Sequence, residues 1–186
     1  MANYLSEWQQ AITRTQRFAL KVPSHQIVSS ATYLDEHFFR NFDQLVTQEI
    51  GGLNVSEISL QCFRIHLQLM PLVQKILTCD VLFTIGWIDA GDTSYFQFDE
   101  PHIENTLTNG HNSTNVSMHA WLTLGSMEII DVSFPTTFGV KNNIEKMIGK
   151  IIANQADNLS HGLSYKPMLV GSDYLKRTGM ISLKPI

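Results

Sequence analysis

The spacing of apolar residues changes after Leu77, and this change constrains the fold more than any other feature of the sequence. Before that point apolar side chains recur every three or four residues, which is the period of amphipathic helices. After it come short segments rich in β-branched and aromatic residues, and these favour strands. Helices first and strands second predict an α+β fold in which helices pack on an antiparallel β-sheet.

Three helices are predicted in the first part of the chain. The first spans residues 5–19 and the second residues 34–50, and a proline-containing break separates them. The third ends near Leu77 and begins after an N-cap that is either Ser56 or Ser59. Pro71 should kink it, because proline removes a backbone donor and clashes with the preceding turn.

Three strands are predicted in the second part. The first covers residues 81–88, and residues 118–124 and 127–132 form a hairpin around Gly125 and Ser126. The stretch 89–117 between them is rich in Gly, Asn, Asp and Thr, so we expect a mobile or substrate-facing loop. Further along, the isoleucine spacing predicts an amphipathic helix over residues 142–156, and residues 168–171 are a short strand candidate.

Length predicts a single domain over residues 1–186, in which residues 1–52 form a helical N-terminal extension. Two cysteines, Cys62 and Cys79, cannot build a disulfide framework. The first residues lack the charged-then-apolar order of a secretory signal, and no apolar stretch is long enough to span a bilayer. We therefore expect a cytoplasmic protein with reduced thiols.

Charge narrows the range of partners. Lys and Arg number 13 against 17 Asp and Glu, which gives a formal net charge of −4. Nucleic acids and anionic membranes bind through clustered basic residues, and the sequence has no such cluster. The expected partner is a protein or peptide substrate, the oligomeric state is left open, and no cofactor or metal is predicted.

Three residues suggest thiol chemistry. Cys62 falls in the first turn of the third helix, where backbone N–H groups and the helix dipole favour a thiolate nucleophile. His119 lies on a predicted strand, and an imidazole can take the thiol proton and return it to a leaving group. Asp131, on the partner strand, can hold that ring in the useful tautomer.

The segments around these residues resemble the transglutaminase-like branch of the papain-like cysteine enzymes. The resemblance covers roughly residues 56–135, under half of the chain, and lies in the following segments: Cys62-Phe-Arg-Ile-His-Leu-Gln-Leu-Met-Pro-Leu-Val, Val81-Leu-Phe-Thr-Ile-Gly-Trp, His119-Ala-Trp-Leu-Thr-Leu and Glu128-Ile-Ile-Asp-Val-Ser-Phe-Pro135. It implies a papain-like core in which the nucleophile helix packs on an antiparallel sheet. It also implies acyl transfer through a thioester, with Cys62 as nucleophile, His119 as general base and acid, and Asp131 as the orienting residue.

The residues beside Cys62 differ from the pattern usual in that family. Leu60, Gln61 and Phe63 stand where small residues and Trp or Gly are common. By analogy the backbone N–H of Cys62 is one oxyanion donor. Gln61, Tyr95 and Trp121 are the remaining candidates for oxyanion or substrate contacts. Protease, glutamine deamidase and transglutaminase-type amine transfer all stay open, because they differ only in what resolves the thioester and what leaves.

Other interpretations compete with the triad. Cys62 can be a buried structural thiol, His119 a core histidine and Asp131 a turn former. Cys62 and His66, four residues apart, can form half of a metal site, and the 89–117 loop holds further ligand-type side chains. The fold can also be a non-catalytic binding module that recognises a protein through the 89–117 loop.

The hairpin register gives a geometric criterion for the triad. Side chains alternate across a strand, so His119 and Asp131 share a face only if paired residue numbers add to an even total. A three-residue loop meets this condition, for example with Thr123 paired to Met127. A regular two-residue Gly125-Ser126 turn does not.

Overall fold

A computed structural model describes residues 3–111 and 116–181, and it has the α+β architecture that the sequence predicts. The helices are α1 (Tyr4–Arg17), α2 (Glu36–Ile50), α3 (Val55–Leu60), α4 (Cys62–Leu77), α5 (Glu100–Asn109), α6 (Phe134–Asn142) and α7 (Asp173–Arg177). The strands are β1 (Val81–Ala90), β2 (Thr93–Tyr95), β3 (His119–Leu124), β4 (Glu128–Asp131), β5 (Ile152–Gln155) and β6 (Leu163–Val170). Short 3₁₀ turns cover Glu145–Met147 and Ala156–Asn158.

Strand β1 pairs antiparallel with β2 and with β6, and β4 pairs antiparallel with β3 and with β5. The β1–β6 register runs from Thr84 opposite Val170 to Ala90 opposite Leu163, with an irregularity between Ile85 and Gly86. In the β4–β5 pair, Asp131 lies opposite Ile152.

Two compact units divide the described chain. The first comprises Met1–Ser24, Thr84–His119 and Leu159–Ile186, and the second comprises His25–Phe83 and Ala120–Asn158. Both are built from segments that are distant in sequence. Each unit therefore depends on long-range contacts.

In the first unit, α1 packs against β6. The buried face of α1 carries Tyr4, Trp8, Ala11 and Thr15, which recur at helical spacing. The Thr15 hydroxyl accepts a hydrogen bond from the Val170 N–H at 2.9 Å, and Lys166 pairs with Glu7 at 2.9 Å. The contact thus combines apolar burial with polar bonds at defined positions.

In the second unit, α2 and α4 pack together through apolar faces. Phe38 and Phe42 of α2 are buried and stacked, with ring centroids 4.7 Å apart. Ile65, Leu69 and Val73 form the buried face of α4. The α4 helix continues through Pro71, and Phe63 makes an edge-on contact with Phe83 of β1.

The start of the cysteine helix differs from the prediction. Asn54, rather than Ser56 or Ser59, is an N-cap, and with Glu57 it forms a capping box that begins the separate helix α3. Gln61, with φ −119° and ψ 31°, interrupts the helical path between α3 and α4. Cys62 is consequently the first residue of its helix.

The stretch 89–117 contains regular structure that the composition did not reveal. It holds the end of β1, all of β2 and the ten residues of α5. Asp99 caps α5 by accepting from the His102 N–H at 2.9 Å, and Ile103 and Thr106 are buried. The expectation of one long loop was therefore wrong for most of these residues.

The predicted helix over residues 142–156 was also wrong. The α6 helix ends at Asn142, because Asn143 adopts a left-handed conformation (φ 56°), and Gly149 has φ 75°. The later isoleucine, Ile152, begins β5, which pairs with β4. A short apolar run fits either element, and here pairing with β4 decided the outcome. The strand candidate at 168–171 is the end of the longer β6.

Hydrogen bonds hold the segment between α1 and α2 against the β3–β4 hairpin. The Val28 N–H donates to the Gly125 carbonyl at 2.9 Å. Glu128, which is buried, accepts from the Tyr33 N–H at 2.9 Å and the Leu34 N–H at 3.2 Å. A side-chain carboxylate thus holds the backbone of a loop.

Gly125→Ala should destabilise the protein, since a Cβ at this position would lie 2.4 Å from the Gln26 carbonyl oxygen. That atom belongs to backbone and cannot swing aside, so we expect a loss of about 1–3 kcal/mol. Thermal unfolding followed by circular dichroism measures it. The matched control is Gly52→Ala, where the added Cβ meets nothing within 4 Å. Equal melting temperatures for the two variants would contradict the contact.

Candidate active site

Cys62 begins α4 and its side chain is half-buried. The preceding residue, Gln61, makes no side-chain cap to the helix, and its Oε1 instead accepts from Arg64 Nη1 at 2.9 Å. The first N–H groups of an α-helix have no acceptor within that helix, and together with the helix dipole they favour a negative charge nearby. The position suits a nucleophile better than one deeper in the helix would.

His66, one turn after Cys62, is the residue that the catalytic interpretation missed. Its ring is fully buried, with Nδ1 2.8 Å from the Cys62 carbonyl oxygen and Nε2 3.2 Å from the Val132 nitrogen. The Val132 N–H can only donate, so Nε2 accepts and Nδ1 carries the proton that goes to the carbonyl. His66 is thus a neutral bridge between the first turn of α4 and the end of β4. The i, i+4 spacing from Cys62 was the sequence signal for this contact.

Asp131 ends β4 and is fully buried. Its Oδ1 accepts from the Ser133 N–H at 2.9 Å, the Ser133 hydroxyl at 3.2 Å and the Phe134 N–H at 3.0 Å. The same oxygen lies 3.5 Å from His66 Nε2. Asp131 therefore shapes the turn into α6 and also lies beside the bridge from Cys62.

The hairpin register meets the geometric criterion with a different pairing. Leu122 lies opposite Ile130 and Thr123 opposite Ile129, so the totals are even, but Thr123 does not pair with Met127. The turn contains Gly125, Ser126 and Met127, and the left-handed Met127 (φ 67°) donates its N–H to the Leu124 carbonyl at 2.9 Å.

His119 is the last residue of its segment in the first unit, and its side chain is 1% exposed. Its imidazole stacks on the Phe96 ring, with centroids 5.1 Å apart and an interplanar angle of 20°. Phe96 itself has φ 63°, in the left-handed region that bulky residues rarely adopt. No sequence pattern signals a left-handed phenylalanine, so this contact could not have been predicted.

Three further residues were candidates for oxyanion or substrate contacts: Trp121, Tyr95 and Gln61. Trp121 is fully buried on β3, and Tyr95, at the end of β2, is 7% exposed and pairs with Ile88. Gln61 is half-buried at the junction of α3 and α4. Of the three, Gln61 is the one whose side chain adjoins Cys62 in sequence and reaches the surface.

The two cysteines have different surroundings. Cys79 is half-buried, lines a cavity of about 410 Å³ together with Asp80, and begins no helix. Burial, followed by the negative charges of Asp80 and Glu128, raises the pKa of the Cys79 thiol to about 11. Cys79 is therefore a protonated, weakly nucleophilic thiol near neutral pH.

The acidic character of the 89–117 stretch is partly neutralised. Glu100 forms ion pairs with Arg14, at 2.8 Å, and with Arg17, both from α1. The hydrogen bond from Arg14 is the main cause that lowers the pKa of Glu100. Asp89 accepts from the Ser94 hydroxyl at 2.6 Å. These carboxylates have partners within the unit, so they offer less charge to a substrate than the sequence alone suggests.

Within residues 3–111 and 116–181, no three His, Cys, Asp or Glu side chains come together in a way that could hold a metal ion. Both ring nitrogens of His66 have backbone partners. In the same ranges, no helix has the length and apolar character needed to cross a membrane.

No protein-family model, curated protein or solved structure matches this chain. The residues themselves, and the sequence resemblance around Cys62, His119 and Asp131, are what indicate a function.

Proposed function

We propose that the protein is a thiol-dependent acyl-transfer enzyme that acts on an amide or peptide bond through Cys62, His119 and Asp131. The observation that carries the proposal is the buried His66 bridge, which ties the first turn of α4 to the end of β4. It joins the segment of the nucleophile to the segment of the acid. The resemblance to transglutaminase-like enzymes, and with it a papain-like core, belongs to the same proposal.

The assignment of His119 as the base is supported by the contacts of His66. An imidazole that both donates through Nδ1 and accepts through Nε2 has no nitrogen left to take a thiol proton. His66 also bonds to the carbonyl of Cys62 rather than to its sulfur. Proton transfer is thus assigned to His119, and the sequence resemblance makes Asp131 its orienting partner.

The reaction has two balanced halves. As Sγ of Cys62 bonds to the amide carbon, the thiol proton passes to His119. His119 gives that proton to the leaving nitrogen, the C–N bond breaks, and a thioester remains on Cys62. Water or a primary amine then bonds to the same carbon and yields its proton to His119. The C–S bond breaks, and His119 returns that proton to Sγ, which restores the thiol.

Oxyanion stabilisation in this scheme comes from the start of α4. The backbone N–H of Cys62 is one donor, and the Gln61 carboxamide is the second. The Arg64 contact occupies the carboxamide oxygen of Gln61, and this leaves its NH₂ group as the donor end. Preorganised donors of this kind are often the largest single contribution to catalysis.

Mass spectrometry of the products tests the proposal. The full chain is incubated with a glutamine-containing protein, with and without a labelled primary amine, beside the Cys62→Ser variant. Conversion of an amide to an acid indicates deamidation, addition of the label indicates transfer, and backbone fragments indicate proteolysis. Any of these, lost in Cys62→Ser, supports the enzyme.

The rival is a non-catalytic binding module that uses the 89–117 stretch, where several side chains of α5 are exposed. This alternative predicts no product in any of the three assays. It also predicts that iodoacetamide modifies Cys62 no faster than Cys79. That pair of results would replace the enzyme with the binding module.

A further inference from the structure

Phe96 has a backbone conformation that its residue type does not favour. Its φ of 63° is the kind usually taken by glycine, because a Cβ in the left-handed region crowds the backbone. Three other left-handed residues have ordinary reasons: Thr78 and Asn143 are helix C-caps, and Met127 closes the hairpin. Phe96 is not a helix C-cap, and it does not close a hairpin as Met127 does.

The chain on both sides of Phe96 is fixed. Tyr95 is buried and pairs with Ile88 across the β1–β2 ladder. Phe98 is also buried and meets Trp87 edge-on, with ring centroids 6.3 Å apart. Between them, Gln97 accepts a hydrogen bond from the Ser117 hydroxyl at 3.3 Å. These contacts hold the left-handed residue in place, which is how such a conformation persists in a fold.

The result of this conformation is a specific ring contact. The Phe96 ring lies nearly parallel to the imidazole of His119, 5.1 Å away. The Ser117–Gln97 bond links the residue two before His119 to the residue after Phe96, so the same two segments are joined by a side-chain hydrogen bond and by rings. A flat neighbour on one face restricts rotation of an imidazole and so limits where its nitrogens point.

We propose that Phe96 is a positioning residue for His119: its ring, held by a left-handed backbone, sets the orientation from which the imidazole exchanges a proton with Cys62. This inference rests on the proposed function. Phe96 touches neither substrate nor sulfur in the proposal and acts only through His119. Catalytic groups must be held close to their productive geometry by such supporting side chains.

The first measurement needs no substrate. In NMR spectra of the full chain with labelled histidine, the ring resonances of His119 are assigned by their loss in His119→Gln. The ring current of Phe96 displaces these resonances. Phe96→Leu should shift them, Phe96→Tyr should leave them near their original positions, and Phe39→Leu, at an aromatic residue 40% exposed, should not move them.

The second measurement is the rate at which iodoacetamide modifies each cysteine, read by peptide mass. Phe96→Leu should lower the Cys62 rate about tenfold, since misplacing a reacting group by an ångström costs up to about a hundredfold. Phe96→Tyr should restore it, and Cys79 should be unchanged as an internal standard. Phe96→Gly, which suits the left-handed backbone, should fold readily and still lose the Cys62 rate.

The outcomes distinguish the positioning role of Phe96 from the proposed catalytic role of His119. An unchanged Cys62 rate in Phe96→Leu, with a reduced rate in His119→Gln, overturns the positioning role and leaves the enzyme in place. An unchanged Cys62 rate in His119→Gln overturns the catalytic role of His119 itself. Unshifted His119 resonances in Phe96→Leu overturn the stacking contact, whatever the rates.

Discussion

Cys62→Ser and His119→Ala are each expected to lower the acyl-transfer rate by about a thousandfold or more, because nucleophile and base act as a unit. A serine hydroxyl keeps its proton where a thiol releases it, and alanine leaves no base to receive that proton. Product formation from a glutamine-containing protein, measured by mass, gives the rates. Circular dichroism and the melting temperature establish that each variant has kept its fold.

Cys79→Ser is the matched control, since it removes the other thiol of the chain. Because burial raises the pKa of Cys79 to about 11, this thiol is protonated at neutral pH, and its loss should leave the rate unchanged. Activity in Cys62→Ser equal to that of the parent would end the proposal. So would an effect of Cys79→Ser as large as that of Cys62→Ser.

Asp131 permits a substitution that separates its two roles. Asp131→Asn keeps an Oδ1 that can accept from the Ser133 and Phe134 N–H groups, so the turn into α6 should persist. It loses the negative charge that orients and stabilises a protonated His119, and the rate should fall by about 10³- to 10⁴-fold. Asp131→Ala loses both roles. It should lower the free energy of unfolding by about 2–4 kcal/mol, because buried donors lose their acceptor.

Chemical denaturation and product formation, measured on the same two variants, test this separation. The expected pattern is a stable, inactive Asn variant beside an unstable Ala variant. An Asn variant with full activity would reduce Asp131 to a turn former. An Ala variant as stable as the parent would contradict the hydrogen bonds that Oδ1 accepts.

The elements that could be predicted are those whose signal is local. Each of these signals lies within one segment and can be recognised without knowing what the segment packs against. They are the apolar period of α1, α2 and α4 and the β-branched residues of β1, β3 and β4. The hairpin register could not be chosen from the sequence, because a three-residue and a two-residue turn were both possible at Gly125. The actual turn uses Met127 as its left-handed residue, and that shifts the pairing from the expected one.

The remainder depended on contacts between distant residues. The isoleucines after α6 fit a helix or a strand equally well, and only pairing with β4 selects the strand. Likewise His66 was visible beside Cys62, but its acceptor role toward Val132 requires the end of β4. In the candidate site, residue types could be read from the sequence, whereas the contacts that His66 and Phe96 make could not.

The pairing of α1 with β6 has a consequence for the way the protein is made. Val170 donates to Thr15 across 155 positions of sequence, so the partner strand of the first helix is synthesised long after that helix. Until β6 leaves the ribosome, the face of α1 that carries Trp8 lacks this cover, and exposed apolar surface on a nascent chain attracts chaperones and promotes aggregation. The first unit therefore completes its fold late in synthesis. The yield of folded protein depends on how well α1 is shielded until β6 is made.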